Sequence, residues 1–250
     1  MPISTSPRFG TLFLIPTNLA EPIKPDAILP RHVIEITSRL DNFIVENART
    51  ARQFLKAVGT ALPLQSLQMH ELNEHTPATE LQGLLQPLLE GKDIGLLSEA
   101  GVPAVADPGA SLVALAHTYA VPVVPLVGPS SILLALMASG LNGQVFAFHG
   151  YLPADRMGRL TALADLERES GRRHMTQIFI ETPYRNGALL VDILATCSIE
   201  TKLCLALNLT APDQAILTKR IGAWRKDAPD LKRKPAVFLL LAEGARSRRG

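Results

Sequence analysis

Apolar residues in this chain come in short runs separated by polar turns. Thr11–Ile15, Val33–Ile36, Phe43–Val45, Ile94–Leu97, Val121–Val127, Val145–Phe148, Gln177–Glu181, Leu203–Leu209 and Ala236–Leu241 are short and rich in β-branched, aromatic or leucine side chains, the signature of strands. Between them lie Ala48–Val58, Glu80–Glu90, Gly109–Tyr119, Ser130–Ser139, Met157–Ser170 and Asn186–Cys197. These repeat their apolar residues every three or four positions and predict helices. Ser130 and Ser131 carry hydroxyls suited to capping the helix that follows them. Strand alternating with helix predicts an α/β fold with a largely parallel sheet. A helix followed by a proline-punctuated strand near residues 117–124 predicts two α/β lobes, 1–118 and 119–244, then a basic tail at 245–250, with a ligand cleft between the lobes.

Composition narrows the class. The chain has 250 residues, 47% of them hydrophobic and 19% charged, which excludes wholesale disorder. The net charge of +2 steers no particular partner, but its placement is uneven: from Lys219 to Arg249 there are ten basic residues and only Asp227, Asp230 and Glu243 as acids. A basic end points toward a polyanion. Residues 108–154 contain no Asp, Glu, Lys or Arg. Pro122, Pro125, Gly128, Pro129, Gly140 and Gly143 break that stretch well short of the about 20 apolar residues a membrane span requires, so no membrane partner is expected. Cys197 and Cys204 form no C-x-x-C pair, and Met1–Gly10 lacks the apolar core of a secretory signal; a reducing, cytoplasmic setting is the expectation.

Common catalytic motifs are missing. There is no G-x-G, no G-x-S-x-G, and no lysine after Gly128-Pro129-Ser130-Ser131 to make a P-loop. His70 and His75 are five apart, which puts them on different faces of a helix, so no metal is expected. Three strand-to-turn junctions remain. Ile94–Gly109 runs from a strand through a small-residue loop where a ligand could reach backbone groups; an ordinary turn explains it equally well. Val127–Ser131 offers hydroxyls and helix amides to an anion, or simple capping. Phe179–Arg185 ends in Arg185, placed for an anion or a base, or for a surface salt bridge.

In this order the junctions resemble the tetrapyrrole methylase superfamily, and within it the branch of ribosomal small-subunit RNA 2′-O-methyltransferases I. The residues that carry the likeness are Ser98-Glu99-Ala100-Gly101-Val102-Pro103 with Asp107-Pro108-Gly109, Val127-Gly128-Pro129-Ser130-Ser131, Gly150-Tyr151-Leu152-Pro153, and Glu181-Thr182-Pro183-Tyr184-Arg185. The resemblance implies S-adenosylmethionine as methyl donor, held in the cleft between the lobes, and a homodimer. It implies cofactor contacts at Ser98, Glu99, Ala100, Gly101, Val105, Ala106, Asp107, Ser130, Ser131, Glu181, Thr182 and Leu209. Glu46 and Arg49 fall in the family's substrate-side motif and are the expected catalytic pair, Glu46 for proton handling and Arg49 as an anchor, with Asn47 and Arg185 toward the substrate. The chain departs from the family's pattern in three places. It has Pro16-Thr17-Asn18-Leu19 where a glycine is usual, Asn47 where an aspartate is usual, and Glu99 in place of aspartate. RNA is the implied substrate. A tetrapyrrole or other small-molecule acceptor, and a cofactor-binding module without catalysis, are the alternative readings.

Overall fold

A computed structural model describes residues 9–20 and 24–243; the basic tail expected at 245–250 lies outside them. The first compact unit is Met1–Ser130 and the second Ser131–Gly250.

In the first unit the elements are β1 (Leu12–Ile15), α1 (Arg31–Arg39), β2 (Asn42–Val45), α2 (Ala48–Val58), β3 (Gln68–Glu71), α3 (Leu81–Leu89), β4 (Ile94–Leu97), α4 (Ala110–Thr118) and β5 (Val123–Pro125). They build one five-stranded sheet in the order β3-β2-β4-β1-β5, parallel throughout. β2 and β4 are buried along their whole length, as a parallel sheet covered on both faces demands. Alternation sorts their side chains. Phe13, Ile15, Phe43, Val45 and Leu97 pack with Val33, Ile36, Phe54 and Leu55, while Leu12, Ile44, Ile94 and Leu96 pack with Leu85, Leu88, Leu112 and Ala116. All the loops that leave the carboxyl ends of the strands therefore gather at one edge of this sheet.

The second unit runs α5 (Ser131–Ser139), β6 (Phe146–Tyr151), α6 (Arg156–Arg173), β7 (Thr176–Ile180), α7 (Asn186–Thr196), β8 (Lys202–Leu207), β9 (Ala215–Arg220), α8 (Ile221–Trp224) and β10 (Ala236–Leu241). Its sheet order is β6-β7-β10-β8-β9, with only β6 and β7 parallel. The core holds Phe179 stacked on Phe238 at 5.8 Å between centroids, and Trp224, whose indole N–H donates to the Leu203 carbonyl at 2.9 Å. Burial pushes the Cys197 thiol up to about 12, with Glu167 adding to the effect, so it is inert as a nucleophile at neutral pH. No helix among the described residues is long and apolar enough to cross a membrane.

The α/β class and the two-sheet organisation agree with the sequence reading, with three differences. Val33–Ile36 is helical, inside α1: both ends of the run are buried three residues apart, and so short an apolar run carries no periodicity of its own. The division falls after Ser130 rather than after residue 118, because β5 pairs with β1 and so belongs to the first sheet. The parallel pattern holds for the first sheet only: β10 runs antiparallel to both β7 and β8, and β9, whose Ala215–Arg220 sequence is too polar to stand out as a strand, forms an antiparallel edge on β8.

Candidate functional site

At the carboxyl edge of the first sheet, four loops meet in the order set by the strands. The Thr17 amide donates to the Gly101 carbonyl at 2.8 Å, tying the loop after β1 to the loop after β4. Pro16 lies against Gly128, where a Cβ would collide with the proline ring, so the loop after β5 closes in only because residue 128 has no side chain. The Glu46 amide donates to the Leu97 carbonyl at 3.2 Å, and Glu46 Oε2 accepts from the Glu99 amide at 3.0 Å. Glu99 Oε1 in turn accepts from the Thr50 hydroxyl at 3.3 Å. The long β4–α4 loop takes left-handed backbone at Gly101, Ala104, Ala106 and Gly109, with φ of 79°, 65°, 62° and 123°. Two of these are alanines, for which the conformation is costly by about 1–2 kcal/mol each. A Cβ at Gly109 would stand 2.8 Å from Leu96 Cδ2. Such turns point successive backbone N–H and C=O groups out of the loop, and small side chains leave them reachable.

Asp107 ends this loop half-buried. Burial and the negative charge of Glu46 push its carboxyl up to about 6; the Ser98 hydroxyl acts the other way and Glu99 adds a smaller upward push. Glu46, Glu99 and Asp107 thus lie at the same sheet edge, where like charge and burial push Asp107 toward neutrality. Arg49 sits at the start of α2, exposed, and no ion pair joins it to Glu46 among the described residues. Asn47 is the N-cap of α2, its Oδ1 accepting from the Arg49 and Thr50 amides at 2.9 and 3.3 Å.

The second unit builds its junction from side chains. Glu181, directly after β7, is 5% exposed. Its Oε1 accepts from the Thr182 amide and from Arg185 Nη2, each at 2.7 Å, while its buried Oε2 has no hydrogen-bond partner among the described residues. Arg185 forms a salt bridge whose partner lies inside the same motif, and its side chain stays partly exposed. Asn186 Nδ2 donates to the Lys234 carbonyl at 2.6 Å, binding the start of β10 to the start of α7. Leu209 is buried in the turn after β8, flanked by Asn208 and Thr210 in left-handed backbone. One buried network carries no spacing signal in the sequence: Asp192 on α7 receives Arg159 Nε and Nη2 of α6 at 2.8 and 2.7 Å, and Arg159 Nη1 also donates to the Ala154 carbonyl at 2.9 Å. That network holds the Pro153-Ala154 turn between β6 and α6. Among the described residues no three His, Cys, Asp or Glu side chains group as metal ligands.

The expected site residues therefore fall at strand ends in both units: Glu46, Asn47, Arg49, Ser98–Gly101, Val105–Asp107 and Ser130 in the first, Ser131, Glu181, Thr182, Arg185 and Leu209 in the second. Sequence reading did not identify Thr17, Thr50, Asn186 or the Arg159–Asp192 pair as supports, nor the left-handed alanines. Thr17 and Asn186 adjoin motif residues and were within reach; the others depend on partners distant in sequence.

No family model matches the chain. A ribosomal RNA small subunit methyltransferase I of Escherichia coli O157:H7 is 32% identical over 94% of this chain and 78% of its own length. The protein of the same name from Vibrio cholerae is 32% identical over 94% of this chain and 77% of its own length. Among solved structures, the methyltransferase CobJ covers 97% of this chain and 96% of its own at a TM-score of 0.62 and 17% identity. The uroporphyrin-III-C-methyltransferase of Thermus thermophilus covers 93% and 92% at 0.52 and 18%. These structures share the fold. Motif order, sheet topology and identity across most of both sequences converge: the chain is a methyltransferase of the tetrapyrrole methylase superfamily and belongs to the ribosomal RNA small subunit methyltransferase I family.

Proposed function

We propose that this enzyme transfers a methyl group from S-adenosylmethionine to a ribose 2′-hydroxyl of small-subunit ribosomal RNA. The observation that carries the reading is the likeness across most of the chain to relatives named for that RNA. The residues present suit the cofactor. It offers hydroxyls, an ammonium and an adenine amino group as donors, and Glu181 Oε2 is a buried acceptor with no donor among the described residues. The left-handed β4–α4 loop supplies backbone groups bare of bulky side chains. Contacts are proposed for Ser98–Gly101, Val105–Asp107 and Ser130 in the first unit and for Ser131, Glu181, Thr182 and Leu209 in the second.

The bound cofactor supplies an electrophilic methyl on a sulfonium; the protein's task is alignment and removal of one proton. Glu46 is suited to that task. Its Oε2 is held by the Glu99 amide, which leaves Oε1 to accept the proton of the attacking hydroxyl. Asp107, raised to about 6 beside it, can take the proton onward. Arg49, exposed and not paired with Glu46, serves as a phosphate anchor, with Asn47 holding its backbone through the helix cap. A homodimer and a cytoplasmic location complete the reading; the exposed apolar Leu133 and Met137 of α5 suit a partner's cover.

Calorimetric titration with S-adenosylhomocysteine tests the cofactor, with Glu181→Gln and Ser130→Ala expected to weaken it. Methyl transfer to small-subunit ribosomal RNA tests the acceptor. Glu46→Gln is expected to lower kcat by about 10²–10⁴-fold with cofactor affinity kept. Cofactor binding together with transfer to a porphyrinoid instead of RNA would replace the acceptor and keep the chemistry.

A further inference from the structure

The basic stretch from Lys219 to Lys234 is not one surface. Arg220 is paired with Glu200 and Glu243, and Lys219 lies over the Trp224 ring and bonds Asp227. Lys232, Arg233 and Lys234 differ: all three are exposed, and none forms an ion pair among the described residues. The turn that carries them is held firmly. Leu231 is buried at 1% exposure, the Lys232 amide donates to Asp230 Oδ1 at 2.9 Å, and the Lys234 amide donates to the Leu231 carbonyl at 3.2 Å. Arg233 takes left-handed backbone at φ 60°, costly for a residue other than glycine.

This turn docks on the β7–α7 junction. The Arg233 amide donates to the Pro183 carbonyl at 3.2 Å, and the Lys234 carbonyl accepts from Asn186 Nδ2 at 2.6 Å. Between Pro183 and Asn186 stand Arg185 and Tyr184, and Tyr184 is 85% exposed, above every other exposed large apolar or aromatic side chain among the described residues. Strained backbone, uncompensated cations and a bare aromatic ring are each costly or idle for folding. Together they match what an unpaired nucleic-acid strand requires: phosphates on the cations and a base stacked on the ring.

We infer that Lys232, Arg233, Lys234 and Tyr184 form a binding surface for single-stranded RNA. The inference rests on the RNA reading above. A duplex offers its phosphates but not the face of a base, so the ring distinguishes the two forms.

The test is fluorescence anisotropy with an unstructured 12-nucleotide RNA and its duplex, in a salt series, alongside methyl transfer to small-subunit ribosomal RNA. The variants are K232Q/R233Q/K234Q, Tyr184→Ala, Tyr184→Phe, and a charge-matched control, R39Q/K56Q/K92Q, made of exposed cations elsewhere. Titration with S-adenosylhomocysteine checks that each is folded. The triple variant is expected to weaken single-strand binding about tenfold or more at 0.1 M salt and to reduce the log–log salt slope by about 2, since each phosphate contact contributes roughly 0.7. Tyr184→Ala is expected to weaken the single strand by about 5–100-fold with the slope unchanged, to leave the duplex unaffected, and to be rescued by phenylalanine. Equal losses in the control, or wild-type affinity and slope in the triple and tyrosine variants while the enzyme still methylates the RNA, overturn this surface and leave the RNA reading standing. A wild-type enzyme that neither binds nor methylates RNA overturns both.

Discussion

The β4–α4 loop of the first unit and the β7–α7 junction of the second both follow a strand's carboxyl end, yet they are built by opposite means. The first is a backbone device. Four left-handed residues shape it, its side chains are small, and the charge around it is negative, from Glu46, Glu99 and Asp107. The second is a side-chain device, a nearly inaccessible Glu181 clamped by Arg185 with cations alongside. The parallel sheet explains part of the difference: its strand ends are adjacent and feed loops that brace one another through backbone bonds such as Thr17 to Gly101. In the mixed second sheet, the neighbours of β7 include the amino end of β10, so side chains such as Asn186 must bridge between unlike ends.

If side chains hold the second unit's loops, removing one buried partner there has the largest effect. Asp192→Ala leaves Arg159 buried without its carboxylate and is expected to cost about 3–5 kcal/mol in urea unfolding. A loss under about 1 kcal/mol would dissolve the contrast. For the backbone-built loop the sensitive change is a Cβ. Gly109→Ala, at φ 123° and against Leu96, is expected to cost about 1–3 kcal/mol, whereas Ala106→Gly stays within about 1 kcal/mol of the parent because strain relief and chain entropy oppose each other.

Asp107 sharpens the electrostatic side of the contrast. Its carboxyl is raised from the ordinary 3.8 to about 6, so between those values the folded state holds more protons than the unfolded one. Stability therefore falls as pH rises through that window and is flat above it. Asp107→Asn is expected to stabilise the protein at pH 7.5 by on the order of 1 kcal/mol, allowing for the solvent that still reaches the group, with the gain gone below pH ~4. Thermal melts at the two pH values read this directly; a gain at low pH only would mean that burial does not dominate. The smallest effect is at Asn47. Replacing this cap by alanine is expected to cost about 0.5–1 kcal/mol and to leave both loops unchanged, measured by urea unfolding.

Much of this is legible in the amino-acid sequence. Six helices are legible within a few residues because their apolar residues recur at helical spacing, and the ordered junctions at Ser98–Gly109, Val127–Ser131, Gly150–Pro153 and Glu181–Arg185 together indicate the superfamily. Val33–Ile36 reads equally well as a strand or as one helical turn, because three apolar residues around Glu35 suit both. Glu46, Asp107, Glu181 and Arg185 were named as residues, but not what they do to one another: Glu46 meets Glu99 across 53 positions, and no local spacing encodes that.

The α/β class, the family and most strand ends are legible in the residues alone, because periodicity and glycine-proline punctuation act locally. Tertiary structure alone decided that β5 closes the first sheet and that Asp107 is pushed toward neutrality. It also decided that Arg185 is paired while Lys232–Lys234 form no ion pair among the described residues. Those outcomes depend on burial and on partners brought together from distant parts of the chain, and charge responds to the distances and solvent that only the fold sets.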